Sequence, residues 1–434
     1  MTVRPQSADH DDALVTHSSR STVRDALIVA IAGLVANGLN LIVTIVLARV
    51  LPVRHHSSAY GAFAQMVGLF IVVSLPGSAI AIAVVRRSSW WLARAGNAEL
   101  EAWRRGVSRQ MVRALGAFAV VAAIAAPFVA KGLGGRSWVA VLLTSLAAGC
   151  WVAIAVERAF LQSCRRYHPL AANFLIEGLA RNAAVMTGAA VAGVTGAVAG
   201  ILAAELATWA HAWWAAARAV PDPARSAVGT PPRGELGGDL VASIGAFAML
   251  ALLQYVDIFL VGRFNSSGSG RYAAIAVVAK TLVFVAIVLS YYLLPEASLG
   301  HRAGEHARRQ LAIVVGLYAV PCGVLLVVSA AAPRALLSII YPERLLGAAS
   351  SLPVLVAAMG VLGLSFLLAT YLLARGVRAV AGWLVVGTAL AFWLVSTAHG
   401  SWGTTTLRDF EAQLVVAAGL IVMTAFVLAS GRSE

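Results

Sequence analysis

A-L-I-V-A-I-A-G-L-V-A-N-G-L-N-L-I-V-T-I-V-L-A-R-V-L, Ala26 to Leu51, is an apolar run long enough to cross a bilayer as a helix. A short polar loop follows, and A-Y-G-A-F-A, Ala59 to Ala64, opens a second apolar stretch that ends at Arg86-Arg87. The same hairpin recurs between Leu240 and Ser298. There D-I-F-L-V-G-R-F, Asp257 to Phe264, closes one helix, and R-Y-A-A-I-A, Arg271 to Ala276, opens the next. Arg49 and Tyr60 of the first copy correspond to Arg263 and Tyr272 of the second. An echo at a distance of about 210 residues predicts two homologous halves. Proteins built from such halves place their substrate between them.

The composition sets the solvent. The chain is 60% hydrophobic and 12% charged, with a mean hydropathy of +0.83. A water-soluble domain cannot bury that much apolar surface, so the surroundings are largely lipid. The net charge of +14 would suggest nucleic acid in a soluble protein. Here the arginines fall between apolar blocks, where they fix topology and meet lipid headgroups, and no nucleic-acid-binding module is present. Cys150, Cys164 and Cys322 have neither metal-ligand spacing nor a disulfide pattern, and read as reduced, packed thiols.

Spans of about 20 apolar residues give about twelve helices. They are placed near 25–50, 61–85, 111–130, 138–162, 170–192, 196–219, 239–262, 272–295, 311–332, 349–374, 379–398 and 409–430. The fifth and sixth are divided only by Gly193 to Gly200, and Pro76-Gly77 interrupts the second. The expected fold is an all-α polytopic membrane protein: two pseudo-repeated six-helix lobes around a central cavity. Residues 1–24 read as a disordered cytoplasmic tail and 25–219 as the N-terminal lobe. The Pro/Gly-rich stretch 220–238 is a cytoplasmic linker, 239–430 the C-terminal lobe and 431–434 a second cytoplasmic tail. With the N-terminus inside, about 21 of the 33 Lys and Arg residues fall on cytoplasmic loops, about 9 outside and about 3 within spans. The basic segment Arg86–Arg113 reads as the largest of these loops.

The first hairpin, through S-L-P-G-S-A-I-A-I-A-V-V-R-R (Ser74 to Arg87), resembles the opening of a polysaccharide-biosynthesis or lipid-linked oligosaccharide flippase. That family lies within the multidrug/oligosaccharidyl-lipid/polysaccharide exporter superfamily. Y-V-D-I-F-L-V-G-R-F (Tyr255 to Phe264) followed by G-R-Y-A-A-I-A-V-V-A-K (Gly270 to Lys280) is similar to the opening of its second lobe. The resemblance implies two six-helix lobes, rocker-type alternating access and export of a lipid-linked sugar or related amphiphile. The chain departs from the family in its longer loop between Leu51 and Tyr60. Twelve helices rather than fourteen, and no arginine in the middle of the first helix, count against lipid II as the substrate.

Ionisable residues within spans are costly, roughly 2.5–3.5 kcal/mol each at mid-bilayer unless paired, so they are the functional candidates. Asp257 and Lys280 lie at similar depths on adjacent helices and are expected to pair. The pair either breaks and re-forms during transport, with a proton or sodium ion at Asp257, or specifies packing. Glu177 and Arg181, four apart, share a helix face. Arg181 is the candidate phosphate contact, since guanidinium binds phosphate in bidentate fashion; a self-neutralised pair is the alternative. Glu205 has no charged neighbour at helical spacing and reads either as an ion-coupling carboxylate or as a structural acid. Glu157-Arg158 reads as a snorkelling pair at a helix end. Asn37, Asn40 and Gln254 either line the cavity or join helices. Arg49 and Arg263 are gate candidates or interfacial anchors. His55-His56 reads as a solvated loop.

No G-x-S-x-G, H-E-x-x-H, P-loop or cysteine cluster is present, so the chain does not read as an enzyme and no cofactor or metal is expected. The leading expectation is a multi-pass translocase of a bacterial cytoplasmic (inner) membrane, both termini inside, driven by an ion gradient or the membrane potential. Its substrate would be a lipid-linked glycan precursor or glycolipid. Expected partners are membrane lipids, a proton or sodium ion, and envelope-biosynthesis proteins. A cation-coupled exporter of small amphiphiles and a membrane glycosyltransferase or envelope-complex scaffold are the alternatives.

Overall fold

The computed structural model describes residues 28–29, 31–33, 35–36, 38–40, 42–51, 58–94, 97–219, 237–298 and 304–430. The expected tails 1–24 and 431–434, the linker up to residue 236, Asn37 and His55-His56 lie outside them.

Lipid offers no hydrogen bonds, so apolar spans must satisfy their backbones internally, and the described residues form helices. In chain order these are α1 (Ile31–Leu51), α2 (Ser58–Ser74), α3 (Gly77–Arg94), α4 (Asn97–Gly132), α5 (Trp138–Ser163), α6 (Tyr167–Ala217), α7 (Gly237–Phe264) and α8 (Ser269–Ser298). Then come α9 (Gly304–Ala331), α10 (Pro333–Ile340), a 3-10 helix (Glu343–Ser351), α11 (Leu352–Ala374), α12 (Ala379–Ser396) and α13 (Trp402–Ser430). Among the described residues, eleven stretches are long and apolar enough to span a membrane. One of them, α6, is 51 residues long, roughly twice what a bilayer core requires.

That helix resolves into two crossings. Ala192 and Gly193 leave helical geometry, with φ +59° at Gly193, a value glycine adopts without the Cβ penalty. The limbs fold back so tightly that a Cβ on Gly188 would collide with the Gly196 carbonyl, and one on Gly200 with that of Ala184. Small residues are what allow such close backbone approach in a membrane. The described residues therefore provide twelve candidate crossings, and the multi-pass, two-lobe fold expected from the sequence is the one found. The break at Pro76 is also present: α2 ends at Ser74 and a turn precedes α3.

Two expectations are corrected. Arg86–Arg113 is not a loop among the described residues: α3 continues to Arg94 and α4 begins at Asn97. Alternating arginines with Trp103, Val107 and Met111 gives a helix with one apolar face, and those three side chains pack on a buried cluster around Phe160. The last helix begins at Trp402 rather than 409, because within T-T-T-L-R-D-F (Thr404–Phe410) the side chains of Thr405, Thr406 and Asp409 are buried, where a hydropathy reading sees only a helix end.

The helices have two ends. The turns near 132–138, 192–193, 264–269, 331–343 and 396–402 form the upper end, and those near 163–167 and 374–379 the lower. In the first lobe α5 is central, with α2, α3, α4 and α6 packed around it. In the second, α11 takes that place among α7, α8, α9 and α13. The seam between lobes is formed mainly by α2 against α7 and α8, with α3 also against α7. Lipid-facing apolar side chains cover the outside, notably Ile313, Leu317, Val320, Val324 and Val327 along α9.

Candidate functional site

Each lobe encloses a charged cluster. In the first, the tight α6 hairpin brings Arg181 of one limb against Glu205 of the other. Arg181 also meets Glu177, one turn away, at 2.5 Å. From α5, Arg158 donates to the other oxygen of Glu177 at 2.6 Å and to the Asn173 side-chain oxygen at 2.6 Å. The Asn173 amide nitrogen donates to the Thr208 carbonyl at 3.0 Å and lies 3.0 Å from His211 Nδ1. The Arg158 guanidinium also stacks 4.0 Å from the Phe174 ring. Glu205 is fully buried, and Arg158 and Glu177 nearly so. Two guanidinium groups face two carboxylates, so the cluster balances its own charge, as a group removed from water must. Arg181 is its most accessible member, with 17% of its side chain exposed. It lies 5.2 Å from the ring of Phe70 on α2, the helix that forms the seam. Its Nε has no hydrogen-bond partner among the described residues.

The expected Glu177–Arg181 pair is thus present. Two expectations fail. Glu205 is not alone: its partner is 24 residues away on the facing limb, outside the reach of helical spacing. Glu157 and Arg158 do not snorkel. Glu157 is buried, accepts from Ser108 at 2.7 Å, and lies 3.7 Å from Arg104. Arg158 turns inward because the Asn173–Glu177 face of α6 offers it three acceptors.

In the second lobe, Lys280 of α8 donates to both oxygens of Asp257 on α7, at 2.9 and 2.8 Å. Tyr272, fully buried, donates to the same carboxylate at 3.0 Å. The Lys280 ammonium sits 5.2 Å from the Tyr255 ring, a cation–π contact. A Cβ on Gly68 of α2 would lie 2.6 Å from that ring, so the pair is one side chain away from the first lobe. The expected Asp257–Lys280 contact is therefore made.

A second carboxylate joins them that the sequence reading missed. Asp409 of α13 is fully buried, and α13 packs against α7, the helix that carries Asp257. Gln413, one turn on, donates to Asp409 at 3.1 Å and to the Leu253 carbonyl of α7 at 3.2 Å. Thr405 Oγ1, Asp409 Oδ2 and Gln413 Oε1 are buried and have no hydrogen-bond partner among the described residues. They lie at successive turns on one face of α13. Gln254 of α7 is likewise buried with both polar atoms unpartnered. Two carboxylates thus accompany one ammonium, and orphaned oxygen acceptors stand close by. The donor set is oxygen throughout, which suits a proton or a hard monovalent cation. Among the described residues no three His, Cys, Asp or Glu side chains gather as a metal site.

The remaining candidates lie elsewhere. Asn40 is half-buried on α1, where its carbonyl accepts from Thr44 at 2.8 Å. Arg49 and Arg263 are at the upper end. The Arg49 carbonyl accepts from Arg344 at 2.8 Å across the seam, and Arg263 donates to the Gly132 carbonyl of the first lobe at 3.4 Å. With Arg334, Tyr341 and Glu343, Arg49 lines an upper cavity of about 730 Å³. The lobes are also joined there by Gln65, which donates to the Phe259 carbonyl at 3.4 Å and accepts from Arg136 at 2.7 Å. The Tyr60 hydroxyl donates to the Tyr341 hydroxyl at 3.4 Å, and burial pushes the Tyr341 phenol up to about 12, so it stays neutral.

No protein-family profile matches the sequence, and comparison with curated proteins finds no match. The fold, by contrast, is shared with solved transporters. A multidrug resistance MATE family transporter of the MOP superfamily, in its inward-facing conformation, aligns over 91% of this chain and 95% of its own, with 10% identity and a TM-score of 0.65. The lipid II flippase MurJ, inward closed, aligns over 92% and 93%, with 12% identity and a TM-score of 0.59. A MOP superfamily transporter from Pyrococcus furiosus aligns with 11% identity and a TM-score of 0.58. The chain thus has the fold of these multi-pass membrane proteins. At such identities the likeness concerns the fold alone.

Proposed function

We propose that the chain is a translocase for a lipid-linked glycan precursor or related glycolipid. In this reading the lobes 25–219 and 239–430, joined by the linker 220–238, rock about the seam. The arginine distribution supports an upper end facing outward and cytoplasmic termini, as in a bacterial inner membrane. The latch of Tyr60–Tyr341, Gln65–Phe259 and Arg344–Arg49 would then hold the outer face shut, the state that accepts substrate from inside.

The observation that carries the proposal is the unequal charge of the two buried clusters. The balanced first-lobe cluster presents Arg181 toward the seam. A diphosphate linker there would take the partly free guanidinium in exchange for one of its carboxylates, with little change in net buried charge. The second-lobe cluster, with Asp257 and Asp409 against Lys280, is suited to coupling: a proton or sodium ion supplies the missing positive charge. Asn40 and Gln254 supply hydrogen bonds for a polar headgroup, and Arg49 and Arg263 act at the outer gate.

Depletion of the protein in its host, followed by mass spectrometry of the lipid extract, tests the reading. Accumulation of one lipid-linked saccharide, protected from a glycosidase added outside, supports it. An unchanged lipid-linked pool would overturn it in favour of export of small amphiphiles.

A further inference from the structure

A second polar–apolar feature lies on the flank of the first lobe, outside both charged clusters. Helices α4 and α6 both pack on α5 and leave between them a cleft of about 790 Å³ near the lower end. Arg104, Arg105, Arg109 and Arg113 line it, with Glu157 as its one acidic residue and Trp209 and Trp213 on the α6 side. Glu101 partly satisfies the first two arginines, meeting Arg104 at 2.8 Å and Arg105 at 2.9 Å. Arg109 and Arg113 are exposed and have no ion-pair partner among the described residues. Arg104 is 3% exposed, and its Nη1 has no hydrogen-bond partner among the described residues although it lines the cleft.

The pattern along α4 says what fits. Arg105, Arg109 and Arg113 recur every fourth residue and form a basic ladder on one helix face. The same face continues upward as Val120, Val121, Ile124 and Phe128, each more than 60% exposed. A cationic ladder passing directly into a lipid-facing apolar stripe complements a molecule with an anionic head and a hydrocarbon chain. Trp213, half-exposed beside the arginines, is the side chain that favours the headgroup level of a bilayer.

We propose that this cleft is a binding site for an anionic phospholipid of the lower leaflet. Its phosphate lies among Arg105, Arg109 and Arg113, and a chain runs along the apolar face of α4. The site is distinct from the transport route: it opens sideways to lipid, and neither α4 nor this part of α6 forms the seam. A phosphate there also lies beside the Arg104–Glu157 contact, which ties α4 to α5, so occupancy would brace α4 against the centre of its lobe.

Native mass spectrometry of the detergent-purified full chain, titrated with phosphatidylglycerol, phosphatidylcholine or inorganic phosphate, tests the site. Phosphatidylglycerol should be retained well above phosphatidylcholine, and inorganic phosphate should not displace it. Two arginines near a headgroup correspond to about 30-fold in affinity, so the Arg109→Ala/Arg113→Ala double variant should lose about that factor. The Arg109→Lys/Arg113→Lys variant, which preserves charge and serves as the folding control, should keep most of the binding. Equal retention of the two lipids, undiminished phosphatidylglycerol binding in the alanine variant, or displacement by inorganic phosphate would overturn the proposal. None of these readouts depends on transport.

Discussion

The two lobes share a hairpin but differ in how they bury charge. In the first, Arg158, Glu177, Arg181 and Glu205 alternate in sign and cancel, held by a helix folded back on itself through glycines. In the second, Asp257, Asp409 and Lys280 leave two acids for one base, with unpartnered acceptors along α13. The corresponding tyrosines diverge in the same way. Tyr60 faces another phenol across the seam, whereas Tyr272 donates to Asp257 inside its own lobe. A balanced cluster is stable without visitors and can exchange one anion for another. An unbalanced one is stable only with an added positive charge. The difference supports dividing the work between an anion-handling lobe and a cation-handling lobe.

The largest effect is expected at Asp257. Asp257→Asn should reduce transport by two orders of magnitude or more, read as flipping of a lipid-linked saccharide in proteoliposomes. Removing one partner of a buried ion pair costs about 3–5 kcal/mol, so Asp257→Asn/Lys280→Met should recover thermal stability without recovering transport. Normal transport by Asp257→Asn would remove the second lobe from the coupling step.

Next comes the first lobe. Arg181→Ala should lower transport by about 10–100-fold and Arg181→Lys by less, because a single ammonium cannot reproduce the guanidinium fork. Full activity in both would make substrate contact untenable. Asp409→Asn should act on ion dependence: the concentration of driving cation or proton needed for half-maximal transport should shift, while substrate binding stays within about twofold. A matching loss of substrate binding would erase the distinction between lobes. The smallest effect is assigned to the latch. Tyr60→Phe removes one long hydrogen bond, worth about 0.5–1.5 kcal/mol. It should shift inter-lobe spin-label distances toward an upper-open state without changing thermal stability measurably.

Much of this was legible in the sequence, for identifiable reasons. Helix number follows from bilayer thickness, and the repeat from the Arg49–Tyr60 and Arg263–Tyr272 pattern. Asp257 and Lys280 could be paired because neighbouring helices joined by a short turn put equal depths side by side. Glu177 and Arg181 could be paired because they lie one turn apart. Glu205 and Arg158 were misread because their partners lie across a hairpin and across a helix pair, where periodicity along one helix carries no information. Asp409 was passed over because it stands in a polar segment that hydropathy assigns to a helix end, although Asp409 and Gln413 share a face at i, i+4. Likewise, the basic stretch after Arg94 reads as loop by charge alone, but Trp103, Val107 and Met111 give it an apolar side.

The most direct measurement is equilibrium binding of the lipid-linked saccharide that accumulates on depletion, to purified wild-type protein, Arg181→Ala and Asp257→Asn, each with and without the driving cation. Arg181→Ala should lose substrate affinity and keep its response to the cation, while Asp257→Asn should bind substrate and lose that response. Substrate affinity lost at Asp257 and retained at Arg181, or both variants failing alike in a folded protein, would contradict the division of labour between the lobes.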